Sequence, residues 1–526
     1  MQAENNQSRG IRLLKQGKKG VARILFSRIG LFFALMLLQV TFFVSLYYWF
    51  REYRPHMYSA MVLFSVIMVL YLLNSRLDPT AKITWLVILM LTPIFGALLY
   101  WYVQRDIGHR ALKERFAQMV DMTRESIPQS ERALEGIRTE NPGVASLARY
   151  ISRSGCYPVY DRTEVTYFPL GEDKFAELLK QLERAEHFIF LEYFIISEGR
   201  MWGEILEILA RKAKEGVDVR LLYDGTCELA LLPHKYPKLL GELGIKCKVF
   251  APVSPFISTH YNYRDHRKIL VIDGHTAFNG GINLADEYIN RIERFGHWKD
   301  TAVMVQGEAA KSFTLMFLQM WNIDVREPEF AKPLTYPAIP RETAKGYVIP
   351  YGDCPLDDDR VGEMVYMDIL NRAVRYVHIM TPYLILDGEI EIALKYAAER
   401  GVEVTLILPG IPDKRLPYAL AKTHYASLLK SGVKIYEYSP GFVHAKVFVS
   451  DDREAVVGTI NLDYRSLYHH FECATYMYQV GCIPEIEKDF QSTLGKCRQV
   501  TEETVKKEKL TVKLAGVLMK VAAPLL

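Results

Sequence analysis

The hydrophobic pattern divides the chain into two unlike parts. Gly30 to Phe50 holds no charged residue and closes on the aromatic cluster Tyr47, Tyr48, Trp49, Phe50. A helix needs ~20 apolar residues to cross ~30 Å of hydrocarbon, so this run predicts a membrane span. Met57 to Leu73 and Ile83 to Val103 follow, the latter ending in Tyr100, Trp101 and Tyr102, as an interfacial aromatic belt would. The pattern therefore predicts transmembrane helices over about 30–50, 57–73 and 83–103, with Pro93 and Gly96 letting helices two and three pack closely as a hairpin.

From residue 145 onward the pattern alternates short β-rich runs with amphipathic helices, and it does so twice in the same order. Phe188–Ile196 is a strand-like run, followed by a helix ending Arg211-Lys-Ala-Lys-Glu-Gly216 and the strand Val217–Tyr223. Val377–Ile385, a helix ending at Gly401, and Val402–Leu408 repeat that sequence of elements. Each copy continues with a glycine-ended helix and another strand, Ile245–Phe250 and Val433–Tyr438, glycine being the common helix stop. The expectation is an α/β protein with two tandem domains, 145–330 and 341–500, joined by the proline-rich stretch Pro328–Pro340 and meeting about a pseudo-twofold axis. A connector over 104–144 would precede them, and 501–526, with leucines and valines at helical spacing among lysines, reads as an amphipathic end segment suited to anionic lipid.

Charge refines this picture without changing it. The net charge of +4 is small for 526 residues, but residues 1–29 are a basic tail with no acidic residue after Glu4. By the positive-inside rule that tail lies on the cytoplasmic side of a multi-pass cell-membrane protein. No basic stripe with interleaved aromatics is evident, which disfavours nucleic acid as a partner. The seven cysteines show neither C-x-x-C pairing nor partnered histidines, so neither a zinc site nor a disulfide framework is expected.

Chemistry enters through one constellation, present in both repeats. His266-Arg-Lys268, Asp273 and Gly280-Gly-Ile-Asn283 match His444-Ala-Lys446, Asp451 and Gly458-Thr-Ile-Asn461. On a strand, His and Lys two apart project from one face. If the halves pack about a twofold, both sets converge, and Lys268, Lys446, Asn283 and Asn461 can hold the non-bridging oxygens of a phosphodiester. With no metal-ligand cluster and no cofactor motif in the sequence, the nucleophile has to be a side chain. One neutral imidazole would attack phosphorus while the other protonates the leaving oxygen. An attacking histidine needs its other nitrogen anchored; Asp300 downstream of His266 and Glu472 downstream of His444 are the candidate carboxylates. Asp273 and Asp451 complete the motif as candidate catalytic groups, although their place at strand ends suits a structural role better.

These motifs resemble the phospholipase D superfamily over roughly residues 145–500, and within it Trp85–Tyr100, Thr381-Pro-Tyr383, Gly458–Ser466 and the terminal Pro524-Leu-Leu are similar to bacterial cardiolipin synthases. The resemblance implies transfer of a phosphatidyl group from one phosphatidylglycerol to another through a phosphatidyl-histidine, giving cardiolipin and glycerol, with His266 the nucleophile and His444 the acid. A hydrolase, a phosphatidyltransferase using another alcohol such as serine, a nuclease and a non-catalytic scaffold are the competing readings. The first two share every residue named above.

Overall fold

The strands alternate with helices in the order that the hydrophobic pattern anticipates, and they assemble into two large sheets. In chain order they are β1 (Glu164–Phe168), β2 (Phe188–Tyr193), β3 (Asp218–Asp224), β4 (Lys246–Phe250), β5 (Arg264–Asp265), β6 (Lys268–Ile272), β7 (Thr276–Gly280), β8 (His297–Lys299) and β9 (Ala302–Gln306). The second half contributes β10 (Tyr347–Asp353), β11 (Tyr376–Met380), β12 (Glu403–Pro409), β13 (Lys434–Tyr438), β14 (Gly441–Val443), β15 (Val447–Ser450), β16 (Glu454–Gly458), β17 (His470–Tyr478) and β18 (Cys497–Val500). This computed structural model describes residues 51–75, 77, 79–104, 109–233, 235–252 and 263–523, with scattered positions between 37 and 48.

The first sheet runs β1-β9-β7-β6-β2-β3-β4 and the second runs β10-β17-β16-β15-β11-β12-β13-β18. Their orders superpose strand for strand until β18 adds an edge. In each, three parallel strands (β2, β3, β4; β11, β12, β13) carry crossover helices, and an antiparallel hairpin (β6–β7; β15–β16) lies alongside. The two hairpin turns place Asp273 and Gly274 (φ 51° and 71°) and Asp451 and Asp452 (φ 55° and 57°) in the left-handed region, as a primed turn requires. One apolar core runs continuously from Phe190 and Val271 of the first sheet to Ile379, Val447 and Val456 of the second, so the sheets share an interior.

The amino-terminal region departs from expectation. Two thirds of the first predicted span, 30–50, lies outside the described residues. The second coincides with a helix, Arg54–Leu73, whose first turn is Arg54-Pro-His rather than apolar residues. The third is not one helix: Pro79–Leu91 and Pro93–Gln104 are separate and fold back on each other. The rings of Trp85 and Tyr100 meet edge to face at 5.1 Å, whereas fifteen residues along a continuous helix would put them ~22 Å apart. Pro93 lacks the N–H that would continue the helix and disfavours α geometry at Thr92. A Cβ on Gly96 would stand 3.1 Å from the Ile88 carbonyl oxygen, so glycine there permits the close return. A hairpin thus forms inside the third run, and the helix of the second run packs on it as expected, Leu72 lying against Trp85 and the Tyr71 ring meeting Tyr100 edge to face at 6.0 Å. Among the described residues no helix is long and apolar enough to cross a membrane.

Candidate active site

Two short strands leave their own domain and pair with the other. β5 runs parallel to the start of β17, matching Arg264 with His470 and Asp265 with Phe471. β14 runs parallel to β8, matching Gly441 with His297, Phe442 with Trp298 and Val443 with Lys299. The next pair in the first register is His266 with Glu472, and in the second His444 with Asp300. Main-chain bonds extend both ladders by one step, from His266 N to the Phe471 carbonyl at 2.9 Å and from His444 N to the Lys299 carbonyl at 2.7 Å.

The side chains follow that register. His266 Nδ1 lies 2.9 and 3.0 Å from the two oxygens of Glu472, and His444 Nδ1 lies 2.7 Å from Asp300 Oδ2. Each carboxylate therefore serves the histidine of the opposite half, which corrects the sequence expectation of one partner within each half. With Nδ1 engaged, Nε2 of each ring is left for chemistry. Lys268 Nζ donates to its own histidine's carbonyl, His266 O, at 2.5 Å, and Lys446 donates likewise to His444 O. Both lysines and both histidines are buried.

Each set acts electrostatically on the other. Burial, then the charges of Lys268 and of Lys446 from the other half, push the His266 imidazole well below its usual range. Burial, then Lys446, bring His444 down to about 4, while Asp300 pulls upward and Lys268 pushes down. Burial lowers Lys268 to about 8 and Lys446 to about 7, against the pull of Glu472 and Asp300. A buried pair of imidazoles and a pair of ammonium groups with depressed proton affinities make a site poised to receive an anion. His266, His470 and Glu472 also bring ligand atoms within 4.8 Å of one another, a spacing one metal ion could use. Glu472 is already engaged there by His266 and Thr459, and the cationic Lys268, Lys446 and Arg465 oppose a further positive charge.

The remaining expected residues divide. Asp273 accepts from the main-chain N–H groups of Glu186, His187 and Phe188 at 2.7–2.8 Å, and Asp451 does the same for Val374, Arg375 and Tyr376 at 2.8–2.9 Å. Each sits five residues along the chain from its lysine, ~16 Å away on an extended strand. As candidate catalytic groups both are corrected: they clamp the entry of β2 and β11. Asn283 is also committed, its oxygen to Ile195 N at 3.0 Å and its nitrogen to the Tyr288 hydroxyl at 2.7 Å. The oxygen of Asn461 is buried without a hydrogen-bond partner among the described residues. Sequence reasoning passed over Thr459, whose hydroxyl donates to Glu472. It passed over Gly281 too, where a Cβ would come within 2.1 Å of Asp300 Oδ1. Comparing Gly281 and Thr459 at the same motif position would have pointed to both.

The pattern described as cardiolipin synthase, PLD-like domain, matches residues 178–321 and 366–494, and that described as phospholipase D-nuclease N-terminal matches 61–105. An uncharacterized protein of Streptococcus mutans serotype c is 58% identical over 87% of this chain and 99% of its own length. A cardiolipin synthase of Alkalihalophilus pseudofirmus is 32% identical over 85% of this chain and 89% of its own, and cardiolipin synthase 2 of Bacillus anthracis is 33% identical over 87% and 89%. Among solved structures, phosphatidylserine synthase of Haemophilus influenzae superposes with a TM-score of 0.53 at 15% identity, covering 69% of this chain and 93% of that one, which bears on fold alone. The chain belongs to the cardiolipin synthase family of phospholipase D-like proteins.

Proposed function

We propose that the chain is a phosphatidyltransferase that joins two phosphatidylglycerol molecules into cardiolipin and releases glycerol. The observation that carries this reading is the crossed pair of histidine–carboxylate couples, His266–Glu472 and His444–Asp300, beside two buried lysines. In the first step His266 Nε2 attacks phosphorus, the bond from phosphorus to the glycerol oxygen breaks, and His444 delivers a proton to that oxygen. Lys268 and Lys446 neutralise the charge that gathers on the non-bridging oxygens, and the side-chain N–H2 of Asn461 would donate to them as well. In the second step His444 takes the proton of an incoming phosphatidylglycerol hydroxyl, which attacks phosphorus and releases His266.

Anchorage to a bilayer belongs to the same reading. The helix Arg54–Leu73 exposes Val62, Leu63, Ile67, Leu70 and Leu73, an apolar surface that lipid would cover. Purified full-length protein supplied with phosphatidylglycerol vesicles should produce cardiolipin and glycerol in equal amounts. Phosphatidic acid as the main product would overturn the synthase reading in favour of hydrolysis. Replacing His266 or His444 by alanine should each remove activity at least 10⁴-fold or so, because the two act as one unit.

A further inference from the structure

The crossed strands make the two halves comparable position by position, and they differ at one place beside the chemistry. Two residues before each histidine, Arg264 pairs with His470 and Phe442 pairs with Trp298. Trp298 packs on His444 with ring centroids 5.5 Å apart. Its counterpart His470 packs on His266 at 5.2 Å. One imidazole of the site is thus flanked by an indole and the other by a third imidazole.

His470 is buried, and among the described residues neither of its ring nitrogens has a hydrogen-bond partner. Its Nδ1 stands 3.6 Å from Glu472 Oε1, the oxygen that His266 Nδ1 holds at 2.9 Å. A ring rotation moving Nδ1 by ~0.6 Å would bring it into hydrogen-bond range. Glu472 also receives the Thr459 hydroxyl on its other oxygen, whereas among the described residues the Asp300 carboxylate takes, beyond His444, only the main-chain N–H of Thr301 at 2.8 Å.

We propose that His470 is a positioning residue that competes with His266 for Oε1 of Glu472, and that this competition makes the two halves of the site chemically unequal. A carboxylate shared among His266, Thr459 and His470 stabilises an imidazolium at His266 less than Asp300 does at His444. His266 is then held as the neutral attacking base, and proton handling falls to His444. The charged groups around the pair act in the same sense. His266 faces Lys268, Lys446, His444 and Arg465, and His470 faces His266 and Arg465, with Glu472 as the opposing charge. Burial keeps His470 neutral, down at about 3, so it serves as an N–H donor rather than as a cation.

The inference rests on the paired-histidine transfer reading but not on the nature of the acceptor. The test is therefore glycerol release from phosphatidylglycerol, which hydrolysis and transfer both produce; its absence in the wild type would sink the transfer reading itself. Attack needs neutral His266, so kcat/KM falls as pH drops through the proton affinity of that ring. In His470→Phe, Glu472 belongs to His266 alone, the imidazolium is favoured, and the acid limb should move to higher pH by about half to one unit. His470→Gln keeps an N–H donor and should leave the limb within about 0.2 units of wild type. A His470→Phe profile that superimposes on wild type, or a His470→Gln profile displaced as far as that of His470→Phe, would overturn the proposal. Wild-type enzyme quenched in denaturant at alkaline pH, where the P–N bond of a phosphohistidine persists, gives a second reading that needs no variant. The phosphatidyl adduct should reside on His266, and an adduct on His444 would refute the assigned asymmetry.

Discussion

At Asp273 and Asp451 the same side chain does the same work twice, each carboxylate gathering three consecutive main-chain N–H groups at the mouth of a strand. Asp273→Ala strands those donors, which should lower unfolding free energy by about 3 kcal/mol. Activity per folded molecule should stay within a few-fold of wild type. Urea denaturation beside an active-site titration separates the two effects; loss of turnover at unchanged stability would return Asp273 to the chemistry. The lysines predict a pH dependence of another kind. Burial holds Lys268 at about 8 and Lys446 at about 7, so both shed protons across the neutral range. A bound phosphate favours the ammonium forms and raises both values, so binding takes up protons between about pH 7 and 9. Affinity for inorganic phosphate, used as a probe, should weaken as pH rises through that window. Calorimetry in buffers of different ionisation heat should register the uptake, and a pH-independent affinity would argue that the lysines do not touch the anion.

The elements that matter most are two very short strands, β5 and β14, because they carry each histidine across to the other domain's carboxylate. β14 approaches β8 so closely that a Cβ on Gly441 would lie 2.3 Å from the His297 carbonyl oxygen. Gly441→Val should push the strands apart and draw His444 from Asp300, although the substituted residue touches neither. A displacement of ~1 Å at a reacting group costs on the order of 100-fold, and a loss of at least that size is expected while circular dichroism stays native. Turnover close to wild type would mean that the β14–β8 ladder does not position His444. The sequence revealed the repeat, the long strands and the duplicated His-Lys pairs, because hydrophobic period and motif spacing are local signals. It did not reveal the exchange of carboxylates, since a three-residue strand has no period and its partner lies more than 140 residues away. The break at Thr92–Pro93 was readable in principle. A tolerated proline within a membrane helix and a proline that turns the chain back look alike until Gly96 is seen packing on Ile88.

Across the whole molecule the question is how a buried anion site meets lipid substrates, and the two ends of the chain bear on it together. The C-terminal helix Leu510–Ala522 lies along the helix Arg415–Lys430, with Gly516 so close that a Cβ there would come 2.4 Å from the Ala419 carbonyl oxygen. The same helix also touches Pro79–Leu91 of the amino-terminal hairpin. Its outward face presents Leu510, Leu514, Val517 and Leu518, the last 73% exposed, with Lys509 and Lys513 nearby on the chain. Apolar residues outward with lysines beside them suit a surface of anionic phospholipid, where burial and charge attraction add. Replacing Leu514 and Leu518 together by glutamate removes about 2 kcal/mol of burial and adds repulsion, so vesicle affinity should fall roughly 30-fold or more. Flotation on phosphatidylglycerol vesicles measures that loss. Turnover of phosphatidylglycerol dispersed in detergent micelles should remain near wild type, because neither leucine lies among the groups that hold the phosphate. If the double variant lost both vesicle binding and micellar turnover, the helix would be a structural brace for Arg415–Lys430 rather than a contact with the bilayer.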